Sequence, residues 1–178
     1  MKIDFANLQL QYQKYKSGID ASIQTVLNKS NYIMGEEVKQ LETELSAFSG
    51  TKHTITCSNG TDALLLAMMA LDIQPGDEVI CSRESHVYNY EGAGIARNSG
   101  ASVRLIDRSS GLITADEVKN NINIDDVHYP ISKLVVLENT SNRGGGICFD
   151  MNEMKNISRV CKQEKLLLHL DGARIFNA

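Results

Sequence analysis

The 178-residue chain carries 18 Lys and Arg against 22 Asp and Glu, a formal net charge of −4. Its length suits one domain or the larger part of one. A hydrophobic share of 42% and a charged share of 22% exclude a disordered, collagen-like or disulfide-scaffold chain. The mildly acidic balance leaves no electrostatic footprint for nucleic acid or anionic lipid. The longest apolar run, Ala63–Leu71, falls well short of the roughly 20 residues of a membrane span. Met1-Lys2-Ile3-Asp4 lacks the apolar core of a secretory signal, so a cytoplasmic protein is expected. Cys57, Cys81, Cys148 and Cys161 form no Cys-x-x-Cys pair and are expected to be reduced, mostly buried thiols.

The first third reads as helical. Leu8, Tyr12, Tyr15, Ile19, Ile23, Val26 and Leu27 recur at three- and four-residue spacing, which lines one helix face. Gly18 weakens the middle of that helix by about 1 kcal/mol relative to Ala, and Asn28–Asn31 ends it. After Gly35 a second helix carries Val38, Leu41, Leu45 and Phe48 and stops at Gly50. The predicted layout is a helical arm over residues 1–50 and an α/β body over 51–178.

From His53 the pattern alternates. Strands are predicted at Thr54–Cys57, Glu78–Cys81, Ser102–Ile106, Leu134–Leu137 and Leu166–Leu170. Helices are predicted between them at Thr61–Leu71, Val87–Asn98, Thr114–Asn121 and Asp150–Gln163. That alternation predicts a mostly parallel sheet with crossover helices. Ala63–Leu71 is apolar all round, which predicts a helix buried on most sides.

Four clusters fall after predicted strands, where open α/β sheets bind ligands. Ser58-Asn59-Gly60-Thr61-Asp62 opens a helix. It could offer an anion free N–H groups and a hydroxyl from Ser58 or Thr61, or be only an N-cap in a tight turn. Glu84–Glu91 contains His86, which could stack on a planar ring, act as acid or base, or cap a helix. Glu138–Gly146 is polar and glycine-rich, a site loop or an exposed turn. His169-Leu170-Asp171-Gly172-Ala173-Arg174 ends the last strand. Asp171 could hold a heteroaromatic N–H and Arg174 an oxyanion, or the two could be an ion pair capping a helix. Gly92-x-Gly94 lies inside a helical stretch and is a poor dinucleotide fingerprint. Asp125-Asp126-Val127-His128 has no metal-ligand spacing and reads as a solvated loop.

A phosphate cup, a ring-stacking residue, an acid for a ring nitrogen and an arginine together suit pyridoxal phosphate (PLP). The chain resembles fold-type-I PLP enzymes along its whole length, in two branches. Residues 1–80 resemble the DegT/DnrJ/EryC1/StrS sugar aminotransferases, through Phe5-Ala6-Asn7-Leu8, Tyr32-Ile33-Met34-Gly35, Ser58-Asn59-Gly60-Thr61-Asp62 and Pro75-Gly76-Asp77-Glu78-Val79-Ile80. Residues 81–178 resemble the threonine aldolase/β-eliminating lyase family, through Glu84-Ser85-His86-Val87 with Tyr90-Glu91, Leu137-Glu138-Asn139-Thr140, and His169-Leu170-Asp171-Gly172-Ala173-Arg174. The segment at 76–80 suits both and marks a junction.

The resemblance implies an α/β, fold-type-I large domain, here incomplete, behind an N-terminal helical arm. It further implies that Gly60 and Thr61, with Ser58, hold the cofactor phosphate, and that His86 stacks on the pyridine ring. Asp171 would pair with the ring nitrogen, and Arg174 would lie near the phenolic oxygen or the substrate carboxylate. The implied activity is cleavage of a β-hydroxy amino acid to glycine and an aldehyde. The alternatives are amino transfer to a nucleotide-linked keto-sugar and a non-catalytic fragment. The implied partners are a small amino acid or amino-sugar substrate and, for the completed chain, a second copy of itself. The pattern departs from the aldolases at Ser141, where they carry a histidine. It also lacks their Schiff-base lysine, which is expected beyond Ala178; Lys165 is no positional match. The chain is therefore expected to be truncated and inactive as it stands.

Overall fold

The computed structural model describes residues 7–178. Met1–Ala6, and with them Phe5, Ala6 and the Met1–Asp4 reading, lie outside the described residues. The chain divides into two units, one ending at Thr56 and one starting at Cys57.

In the first unit, helix α1 (Leu8–Lys29) starts on the Asn7 side chain, which accepts the Leu10 N–H, and ends with Ser30 in the left-handed conformation. Gly18 does not interrupt it. Helix α2 (Glu36–Ser49) ends at Gly50, whose φ of 68° favours glycine. Lys29 pairs with Glu37 at 2.7 Å across the turn. The predicted strand Thr54–Cys57 does not form. The Thr56 N–H and hydroxyl both donate to Glu42 at 2.8 Å, so its donors serve a side chain rather than a sheet ladder, and Ile55 is exposed.

The second unit is a four-stranded, wholly parallel sheet in the order β2-β1-β3-β4. Its strands are β1 (Asp77–Ser82), β2 (Ser102–Ile106), β3 (Ile131–Glu138) and β4 (Leu167–Asp171). β1 is buried along its whole length, as are the last five residues of β3. Such continuous burial is what a central parallel strand covered on both faces requires.

One face packs Ile80, Val135 and Leu137 against Val118 of helix α5 (Ala115–Asn120) and Ile157 of helix α6 (Met151–Gln163). Each fully buried isoleucine contributes about 2 kcal/mol. The other face packs Val79, Cys81, Leu134 and Val136 against Met68 of helix α3 (Gly60–Ala70) and Ile95. Burial pushes the Cys81 thiol up to about 12. Two of the four cysteines, Cys57 and Cys148, are exposed, which corrects the expectation of mostly buried thiols.

Start signals are explicit in the sequence. Thr114 and Glu117 form a reciprocal capping box for α5, and Asp150 accepts the N–H groups of Asn152 and Glu153 to start α6. Two helix expectations change. Val87–Asn98 breaks into a one-turn helix α4 (His86–Asn89), a turn, and a π-type turn over Ile95–Ser99. Glu91, Gly92 and Ala93 all have φ near +60°, a conformation that favours glycine only at Gly92. α3 is less enclosed than its composition suggests, because Leu66 and Met69 are 46% and 67% exposed.

Candidate active site

The strand order reverses between β1 and β3: the chain leaves β1 toward β2, then returns to β3 and β4 on the other side. Ligands of open α/β sheets bind at such a switch point, beyond the carboxyl ends of the strands. The chain after β1 carries His86 there, the chain after β3 carries Asn139–Asn142, and β4 ends on Asp171. A cavity of about 310 Å³ opens at this rim, lined by Gly60, Ala63, His86, Glu91, His169 and Asp171 among others. That volume lies at the small end of ligand-site sizes. Of the sequence-predicted residues, Gly60, His86 and Asp171 therefore share one wall-to-wall space.

Gly60 opens α3, whose N-cap Asn59 accepts the Asp62 N–H at 2.9 Å. A Cβ at Gly60 would meet nothing within 4 Å, so the cavity is open beside it. The hydroxyls beside it are engaged. Ser58 donates to the Asp62 carboxylate and Thr61 to Glu91. His86 packs on Tyr90 with ring centroids 4.6 Å apart and tilted by 32°, and its Nε2 lies 3.0 Å from Glu91 Oε1. Asp171 Oδ1 accepts the Ala173 N–H at 3.2 Å, and the Asp171 carbonyl accepts the Asn139 N–H at 3.0 Å. These bonds tie the end of β4 to the end of β3.

Arg174 does not pair with Asp171. Its guanidinium donates to Glu138 at 2.9 Å and to the Thr140 hydroxyl and carbonyl at 3.2 and 3.1 Å, and it is not among the residues lining the cavity. Glu138, 3% exposed, also accepts the N–H groups of His86 at 3.0 Å and Asn142 at 3.1 Å. One carboxylate thus holds the chain after β1, the chain after β3 and the arginine after β4.

Ser141, where the resemblance implies a histidine, is 1% exposed and accepts the Gly144 N–H at 3.3 Å. A Cβ on Gly111 would collide with its Oγ, and one on Gly144 would lie 2.8 Å from it. The pocket around position 141 is built for a small side chain.

Three residues that lie within the sequence motifs but received no role there belong to the site: Glu138, Glu91 and His169. Glu138 had a signal, a carboxylate ending the apolar run Leu134–Leu137. Glu91 had two, its place five residues after His86 and its part in the Tyr90-Glu91 match to the aldolase pattern. His169 shares a strand face with Asp171. Its buried Nε2 has no hydrogen-bond partner among the described residues, and burial pushes its pKa down, with Asp171 opposing. Among the described residues no His, Cys, Asp and Glu group is arranged to hold a metal, and no helix is long and apolar enough to cross a membrane.

The donor set suits a pyridoxal phosphate ring. Asp171 offers a carboxylate, His86 an imidazole, His169 an unpartnered nitrogen and α3 its N-terminal turn, all on one cavity. Only the hydroxyls of Ser58 and Thr61 would have to leave carboxylates to meet a phosphate.

Known proteins match in the same sense. The low-specificity L-threonine aldolase of Candida albicans is 31% identical over 163 residues, covering 89% of this chain and 43% of its own length. The UDP-2-acetamido-2-deoxy-3-oxo-D-glucuronate aminotransferase of Pseudomonas aeruginosa is 47% identical over 89 residues, 50% of this chain and 25% of its own. The crystal structure of S. venezuelae DesV in complex with a ketimine intermediate superposes with a TM-score of 0.80 at 23% identity, over 97% of this chain and 43% of DesV. The chain thus spans less than half the length of each of these relatives. The family model described as beta-eliminating lyase matches residues 18–178, running unbroken through residues 76–80, and the chain belongs to that PLP-dependent, fold-type-I family.

Proposed function

We propose that residues 57–178 form the cofactor-holding rim of a PLP-dependent lyase of the threonine aldolase type, acting on a β-hydroxy amino acid. The observation that carries this reading is the convergence of Gly60, His86 and Asp171 on one cavity at the switch point of the sheet. When bound, pyridoxal phosphate supplies the electron sink that lets a bond at the substrate Cα break. The protein's part is to bind and orient. The first turn of α3 would hold the phosphate with backbone N–H groups and the positive end of the helix dipole. Asp171 would accept a hydrogen bond from the protonated ring nitrogen and stabilise its charge. His86 would lie against the ring, and Glu138 fixes Arg174 and the two loops around it. Ser141 is buried and holds Gly144, so the β-hydroxyl of a substrate finds its proton acceptor elsewhere on the cavity wall.

The second reading is amino transfer to a nucleotide-linked sugar, favoured by the 47% identity to the Pseudomonas aminotransferase. A cytoplasmic location agrees with four free cysteines. A homo-oligomer agrees with the exposed Leu66 and Met69 of α3.

Stable reduced adducts of the cofactor separate the two readings without needing turnover. Calorimetric titration with phosphopyridoxyl-threonine and phosphopyridoxyl-glutamate is expected to give about tenfold tighter binding of the threonine adduct. Tighter binding of the glutamate adduct would replace the lyase reading with the aminotransferase one.

A further inference from the structure

Glu91 is the link between two cavity residues that lie far apart in sequence. It stands on the cavity wall, and its side chain is only 17% exposed. One carboxylate oxygen lies 3.0 Å from His86 Nε2, and the other accepts the Thr61 hydroxyl. An ionised carboxylate can only accept, so the contact with His86 requires the ring proton to sit on Nε2. That leaves Nδ1 as the acceptor. Tyr90 packs on the same ring, so stacking limits its tilt while Glu91 sets its rotation. Glu91 reaches this place through a backbone at φ 59°, a region that non-glycine residues seldom adopt.

We propose that Glu91 is a positioning residue: it locks His86 in the Nε2-protonated form and at a fixed rotation, presenting the imidazole to the cofactor ring, and it ties that ring to the first turn of α3 through Thr61. The proposal rests on the cofactor reading for what His86 is presented to, but not for the lock itself. The side chains that face this group are His86, Thr61 and Tyr90 from the elements around it, with His169 and Asp171 on the same cavity.

The test pairs two readouts on the 178-residue chain. Long-range ¹H–¹⁵N spectra at a pH where the ring is neutral report which nitrogen of His86 carries the proton. Titration with pyridoxamine phosphate, which needs no lysine, reports the site. The wild type is expected to show the Nε2-protonated form, E91A a mixture of both forms with about tenfold weaker pyridoxamine phosphate binding, and E91Q, whose amide oxygen still accepts, nearly wild-type behaviour in both. An Nδ1-protonated ring in the wild type overturns the lock, and this readout stands even if E91A does not fold. A changed tautomer in E91A with unchanged affinity overturns the positioning role. A wild-type protein that keeps the Nε2 proton but binds no pyridoxamine phosphate sinks the cofactor reading and leaves the lock intact.

Discussion

The two ends of the parallel sheet carry matched ion pairs that do different work. At the amino end, Glu78 on β1 is nearly buried beside Arg104, whose side chain is 39% exposed. At the carboxyl end, Glu138 on β3 is as buried beside Arg174, which is also 39% exposed. Glu78 accepts from the side chains of Asn123 and Ser132, both at 3.0 Å. Arg104 Nε lies 3.3 Å away without the alignment of a hydrogen bond. That cluster staples the starts of β1 and β3 to the middle of β2. Glu138 instead accepts backbone N–H groups from the segments that carry His86 and Asn142. A buried carboxylate at either end needs full satisfaction, but only at the carboxyl end does satisfying it place loops around a cavity. The chemistry of the residue does not decide its role; its position along the strand does.

The sharpest way to break that comparison is to remove each carboxylate in turn. E138A and E78A are each expected to cost about 2–3 kcal/mol in urea unfolding, toward the low side for a buried pair because each arginine can rehydrate. Only E138A is expected to weaken pyridoxamine phosphate binding beyond about tenfold, because it releases the His86 segment. Equal losses of binding in both variants would show that the two ends act as one.

A second, smaller effect lies in the loop that Glu138 holds. Introducing the histidine that the resemblance implies, with S141H, is expected to destabilise the protein by about 2 kcal/mol, since Gly111 and Gly144 leave no room for an imidazole. It is not expected to release aldehyde from threonine. A stable S141H protein would mean that the loop re-forms around the larger ring.

The smallest effect is a pH dependence confined to the carboxyl end. Burial depresses the pKa of His169 below its ordinary 6.5. The unfolded chain therefore binds more protons than the folded one in that range, and stability falls as pH drops below 6.5 toward the depressed value. H169F is expected to flatten that decline in unfolding curves measured from pH 7 to 5; an unchanged slope would place the titration elsewhere.

Much of this was legible in the sequence. Continuous apolar runs at Val79–Cys81 and Leu134–Leu137 located the central strands, because a strand covered on both faces cannot alternate. Thr114 and Asp150 announced their helices through side-chain caps. The motifs around His86 and Asp171 carried the aldolase/β-eliminating lyase resemblance that the beta-eliminating lyase match upholds, while the motif around Gly60 carried the sugar-aminotransferase one. What escaped was set by tertiary partners. Thr56 lies in a β-type run, yet Glu42, 14 residues away, takes its donors. Arg174 sits three residues from Asp171, yet pairs with Glu138, 36 residues away. The reversal at Glu91–Ala93 is visible only as two glycines, and it turns Glu91 toward His86.

The most direct measurement is calorimetric titration of the 178-residue chain with pyridoxal phosphate, alongside H86A and D171A. The account predicts saturable one-to-one binding by the wild type and a loss of about tenfold or more in each variant. Binding that neither substitution changes, or no binding by a folded wild-type chain, would contradict it.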